Sequence, residues 1–159
     1  MSSPEVGQEN EPEVAAPADD PIVQLCAFYV GEQEYVIDLM RVEEILQPPP
    51  LTPVPNSPAY VEGVMNLRGG IVPVIDLRKW LGSKSVADRP KCMICRMGQR
   101  RLAVLVDRLS DVVRLRKSQI GPVPSVVAPG SNPAIIGVCG PPEKLKLLLN
   151  LKALPRSQA

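Results

Sequence analysis

The sequence predicts an all-β fold with short helices, built as two similar small β-barrels, and three observations carry that reading. Residues 63–78 place two apolar, β-branched-rich runs around Asn66, Arg68, Gly69 and Gly70, the pattern of strand, tight turn, strand. Nineteen prolines and eleven glycines stand against five aromatics, a composition of short strands and turns rather than long helices. The chain also carries a degenerate repeat, whose two copies share a strand and turn order.

Taken in order, residues 1–20 hold Pro4, Pro12, Pro17 and six acids, with Val6 and Val14 as the large apolar groups. Such a segment cannot bury enough surface to offset its ordering entropy, so a disordered acidic tail is expected there. A strand is expected from Ile22 to Val30, a turn at Gly31–Gln33, and a second strand from Tyr35 to Leu39. Val42, Ile45 and Leu46 then fall at i, i+3 and i+4, which reads as a short amphipathic helix or a bent continuation of the strand. Prolines between 48 and 58 make a connecting loop, and its PxxP spacing also matches ligands of SH3-type modules. Asn56 is placed to cap a short helix through Tyr60, ended by Gly63. Pro73 lacks a backbone donor, so its strand is expected at a sheet edge or bulge.

The repeat, about 22–82 and 91–155, is read with an offset of 67 that sets Gly98 on Gly31, Val104 on Ile37, Leu109 on Val42 and Val112 on Ile45. After an insertion the offset becomes 74, setting Gly137 on Gly63, Val138 on Val64 and Asn150 on Asp76. Each copy reads as strand, turn, strand, short helix, loop, strand, turn, strand, short helix, with a single larger sandwich as the alternative. The copies differ at the second turn, which is Asn66 to Gly70 in the first and Gly140 to Lys144 in the second. Function is therefore expected on the first hairpin, with Arg68 available to Glu44 for a bidentate pair or to a partner.

The chain has no histidine, which removes the usual neutral-pH base and the commonest metal ligand. No phosphate-binding loop, dinucleotide fingerprint or serine nucleophile elbow is present, so no catalysis and no cofactor are expected. Cys92 and Cys95 form a CxxC without a second pair, and on a strand they face opposite ways, so buried small hydrophobes are expected rather than a metal site. With no leader pattern, Cys26, Cys92, Cys95 and Cys139 are expected as reduced thiols in a cytoplasmic protein. Charge is uneven: residues 1–40 hold nine acids and no base, the remainder eight acids and eighteen bases. Ten of those bases fall between residues 84 and 117, which keeps a nucleic-acid-binding barrel as the alternative, although no aromatic lies there to stack bases.

Residues 63–78, with the run Gly31 to Asp38, the segment Arg41 to Ile45 and the later runs Gly98 to Val106 and Asp107 to Val112, resemble the CheW family of bacterial chemotaxis coupling proteins over about residues 22–155. The resemblance implies two intertwined SH3-like five-stranded barrels over residues 21–156 and no catalysis. It also implies an adaptor between methyl-accepting chemoreceptors and the regulatory domain of a CheA-type histidine kinase, at receptor arrays. Carried over by position, the receptor groove is expected at Val42, Glu44, Gly63, Asn66, Arg68, Leu109 and Val112. The kinase contacts are expected at Leu39 and the loop from Gly121 to Val126. The chain departs from the family pattern at Gly121, where a larger and often charged residue is usual, at Val126, usually bulkier, and at Gly70.

Overall fold

The computed structural model describes residues 19–84, 89–125 and 134–154. The acidic tail expected over 1–20 therefore lies outside the described residues except for Asp19 and Asp20. Ten strands follow: β1 (Ile22–Val30), β2 (Gln33–Asp38), β3 (Val42–Leu46), β4 (Val61–Leu67), β5 (Gly70–Asp76), β6 (Lys91–Met97), β7 (Arg100–Val106), β8 (Arg108–Arg116), β9 (Ile135–Cys139) and β10 (Lys146–Leu149). One short helix, α1 (Leu77–Trp80), follows β5, and single 3₁₀ turns cover Leu39–Arg41, Lys117–Gln119, Pro142–Lys144 and Leu151–Ala153.

The strands form two five-stranded sheets, ordered β8-β1-β2-β10-β9 and β3-β6-β7-β5-β4. Pairing is antiparallel except between β2 and β10 and between β5 and β7. Under the 67 and 74 offsets, β1 to β5 correspond to β6 to β10, and substitution converts one sheet order into the other. Each sheet is nevertheless interlaced. The first takes β1 and β2 from the N-terminal half and β8 to β10 from the C-terminal half, and the second takes the remainder. Matched details follow the same offsets: Gly31 and Gly98 both turn at φ +64, and Asp76 and Asn150 each accept the backbone N–H two residues on.

Strand alternation explains how this arrangement fills its interior. In β6, Met93 and Cys95 face the layer between the sheets, while Cys92 and Ile94 face the inside of the second sheet's own curl. β7 divides the same way, with Leu102, Val104 and Val106 shared and Ala103 and Leu105 internal. In the first sheet Phe28, Tyr35 and Ile37 reach the shared layer, and Leu25, Ala27 and Val36 fill the smaller internal core. All four cysteines are buried free thiols, with burial pushing Cys92 up to about 11 and Cys95 up to about 12. Buried thiols held in the protonated form are packing groups rather than nucleophiles.

One open alternative is decided and two local expectations are corrected. Residues 42–46 are the bent continuation in strand rather than the short helix: β3 pairs with β6, and a bulge between Val42 and Glu44 shifts its phase. No helix runs from Asn56 to Tyr60; Asn56 sits in a turn at φ 64, and Gly63 lies inside β4. Pro73 is not on an edge, because β5 lies between β4 and β7. Val64, opposite Pro73, donates its N–H to the Thr52 carbonyl and accepts the Thr52 N–H, both at 2.9 Å, so the pair with Pro73 is a non-hydrogen-bonded one. The ring nitrogen thus points away from β4, and the parallel ladder to β7 begins one residue later, at Val74.

Two charged groups pin the interlaced halves. Arg78 on α1 donates to Asp76 through Nε at 2.9 Å and Nη2 at 3.0 Å, and its Nη1 lies 3.5 Å from Asp107. Asp107 in turn accepts the Gly31 N–H at 2.5 Å, so the clamp joins α1 of the second sheet to the β1–β2 turn of the first. The bulged Glu43 accepts from Arg96 Nε at 2.5 Å on β6 and from Arg101 Nε at 2.9 Å on β7.

Arg78→Ala leaves the buried Asp76 carboxylate without its cation, and an unfolding titration in urea should show a loss of about 3–5 kcal/mol. The hydrogen bond from Arg96 and the nearby Arg101 charge hold the Glu43 carboxyl below its ordinary 4.5. A lowered folded-state value stabilises the fold above the unfolded value and loses that contribution as pH falls through the folded one. The melting temperature of Glu43→Gln should therefore lie below that of the parent at neutral pH and converge with it in acid.

Candidate functional site

β3 and β4 are the two edges of the second sheet, and no ladder joins them. What spans that seam is a side-chain contact: Arg68 Nη2 meets Glu44 Oε2 at 2.5 Å. Arg68 heads the β4–β5 turn with φ 51, followed by Gly69 at φ 87, so both central residues adopt the mirror-image turn that matches strand twist. Asn66 Oδ1 fixes the turn by accepting the Gly69 N–H at 3.0 Å. Glycine, or asparagine with its short hydrogen-bonding side chain, would normally occupy the first central position, because other side chains there cost about 1–2 kcal/mol.

That penalty decides how Arg68 is read. Its side chain is 65% exposed and that of Glu44 30%, and an exposed ion pair contributes about 0–1 kcal/mol. The contact does not offset the cost of the strained backbone. In the first sheet, the offsets place Asp111 at the position of Glu44 and Pro142 at that of Arg68, so the equivalent seam has no such pair.

Gly63 serves the same corner from below. Its φ is 146, and a β-carbon built on it would lie 2.4 Å from the Thr52 carbonyl oxygen. The loop strand at Thr52 can bridge Val64 because position 63 has no side chain. Gly137 repeats the arrangement under the Gly121–Val138 bridge, where a β-carbon would meet the Ile120 side chain at 2.8 Å.

The sequence-predicted groove residues divide between the sheets. Glu44, Asn66 and Arg68 come together at the seam, with Gly63 within β4. Val42 and Leu109, equivalent under the repeat, are half-buried and both pack against the shared layer where β3 and β8 leave it. Val112 follows on β8 and is 49% exposed, and its counterpart Ile45 on β3 is 41% exposed, a residue that the sequence reading did not assign to the groove. Ile71, beside Asn66 across the hairpin, is 66% exposed and was likewise missed, although its place next to the turn was a usable signal.

Of the positions expected from the resemblance to face the kinase, Leu39 is half-buried against the shared layer, whereas its neighbour Met40 stands 87% exposed. Gly121 bridges Val138 through its backbone, with open space where a side chain would go. Val126 lies outside the described residues. The basic stretch kept for nucleic acid is partly engaged by the protein itself, with Arg96 and Arg101 on Glu43 and Arg108 stacked 3.8 Å from the Tyr29 ring centroid. The nucleic-acid reading gains no support from this surface.

The CheW-like domain profile matches residues 24–159. The chemotaxis protein CheW of Rhizobium meliloti is 37% identical over 107 residues, spanning 66% of this chain and 69% of that protein. The chemotaxis protein CheW of Klebsiella aerogenes is 33% identical over 133 residues, spanning 82% of this chain and 80% of that protein. In three dimensions the scaffolding protein TtCheW from Thermoanaerobacter tengcongensis superposes with a TM-score of 0.71 at 24% identity, covering 81% of this chain and 89% of that one. By the profile match over most of its length and by these relatives, the chain belongs to the CheW family.

Proposed function

We propose that this protein is a non-catalytic chemotaxis adaptor that couples the cytoplasmic tip of a methyl-accepting chemoreceptor to the regulatory domain of a CheA-type histidine kinase, within cytoplasmic receptor arrays. The observation that carries the reading is Arg68, kept in a strained turn and aimed across an open seam at Glu44. A receptor tip is a helical hairpin, and a helix docks by laying an apolar stripe into a groove while charges at the rim fix its register. Val42, Leu109 and Val112 supply apolar surface, Gly63 and Asn66 hold the hairpin, and Arg68 with Glu44 supplies the rim charges. Leu39, Gly121 and Val126 are the kinase-facing positions, to which we add the exposed Met40. Weak contacts of this kind gain strength when many copies engage together in one array.

Arg68→Glu sets two carboxylates against each other at the seam without touching the buried layers. It should leave the melting curve close to that of the parent and weaken binding to a receptor-tip fragment by about tenfold, equivalent to about 1.4 kcal/mol. Collapse of the fold in that variant would assign Arg68 to structure instead. For the kinase face, Leu39→Glu and the fully surface Met40→Glu should each reduce binding of the isolated regulatory domain in calorimetric titration. Met40→Glu guards against loss by unfolding, and unchanged binding by it would remove this face from the interface.

A further inference from the structure

β3 and β8 are equivalent edge strands, and each changes faces along its length. At their starts Val42 and Leu109 pack against the shared layer, whereas further on Leu46 packs against the second sheet's inner core and Val113 and Leu115 against the first sheet's. Val42 and Leu46 have the same parity, as do Leu109 and Val113, so an unbroken two-residue alternation would keep each pair on one face. One extra residue in each strand makes the change. The ladder to β6 passes from Val42 to Glu44, leaving Glu43 out, and the ladder to β1 sets Ser110 and Asp111 against Ala27 alone.

An edge strand is laddered on one side only, so no second ladder fixes where the extra residue sits. A side chain does so here. Glu43 reaches back over β6 to β7, accepting from Arg96 Nε at 2.5 Å and from Arg101 Nε at 2.9 Å. Arg96 and Arg101 stand directly opposite each other in the β6–β7 ladder, a like-charge pairing that is unfavourable until an anion lies between them. On β8, Ser110 Oγ donates to Glu34 Oε2 on β2 at 2.7 Å. The offset of 67 sets Ser110 on Glu43 and Arg101 on Glu34, so the same two positions are joined in both sheets with donor and acceptor exchanged. Two chemistries that make one contact mark the contact, rather than either charge, as what the bulge needs.

We propose that Glu43 is the positioning residue of the Glu44–Arg68 seam: held by Arg96 and Arg101, it pins the bulge of β3 and so aims the next side chain, Glu44, across the seam at Arg68. The aiming concerns this chain alone and needs no partner. Its bearing on receptor docking rests on the reading above.

The test compares the full chain with Glu43→Ser, and with Glu43→Ser joined to Arg101→Glu, which copies the first sheet's pair into the second. At a temperature where all three are folded, the Arg68 Nε–Hε resonance of Glu43→Ser should shift toward the position it takes in Glu44→Gln. The residual dipolar couplings of the Glu44 and Ile45 amides should change with it, while those of β6 and β7 hold. The transplanted pair should return both signals to their parent values. A lowered melting temperature with the Arg68 resonance and the β3 couplings unmoved would make Glu43 a stabilising contact only and overturn the proposal. A transplant that restores melting and not the seam would overturn it too. Affinity for a receptor-tip fragment should fall in Glu43→Ser, by less than in Arg68→Glu. Unchanged affinity alongside a shifted Arg68 resonance would count against receptor docking at the seam and leave the positioning role standing.

Discussion

Everything in this molecule depends on one apolar layer that both sheets must share. Strands β1, β2, β6, β7 and β10 are buried on both faces, one toward this layer and one toward the inside of their own sheet. Neither sheet can satisfy both faces alone, and neither half of the chain contains a whole sheet. The charged clamp of Asp76, Arg78 and Asp107 stands at the junction, where it fixes how the first sheet's turn meets the second sheet's helix. Its value lies in orientation, because a buried ion pair adds little net stability over a well-packed apolar alternative.

That rigid layer leaves the outer strands free to carry function. β3 and β8 depart from it at equivalent points, so Val42 and Leu109 mark the two lips of the junction. The repeat breaks its own symmetry at the β4–β5 corner. Arg68 and Glu44 occupy the second sheet's seam, and the first sheet has Pro142 and Asp111 at the corresponding positions. The duplicated scaffold therefore carries this charged pair at one seam and not at both.

Much of this was legible from residues alone. Gly31 and Gly98, Gly63 and Gly137, and Asp76 and Asn150 revealed the repeat because each is fixed by a backbone requirement rather than by general apolarity. β3 was ambiguous because the bulge at Glu43 breaks the two-residue alternation and leaves Val42, Ile45 and Leu46 at a spacing that mimics a helix. Pro73 was misplaced at an edge because the rule concerns the missing donor, and here that nitrogen faces a stretch where no ladder has yet formed. The exposure of Met40 beside the half-buried Leu39 was not legible, because only the 3₁₀ turn decides which of the two packs inward.

The interlacing also sets an order of events for a chain emerging from a ribosome. The second sheet is complete in sequence once β7 has appeared, so its hairpins can pair while synthesis continues. β1 and β2, made first, have to wait for β8, β9 and β10 before their sheet can close. During that interval a two-stranded ribbon with two apolar faces is exposed, and the contacts that rescue it are among the most distant in the chain. Of the two sheets, the one that holds the earliest strands is thus the later to close.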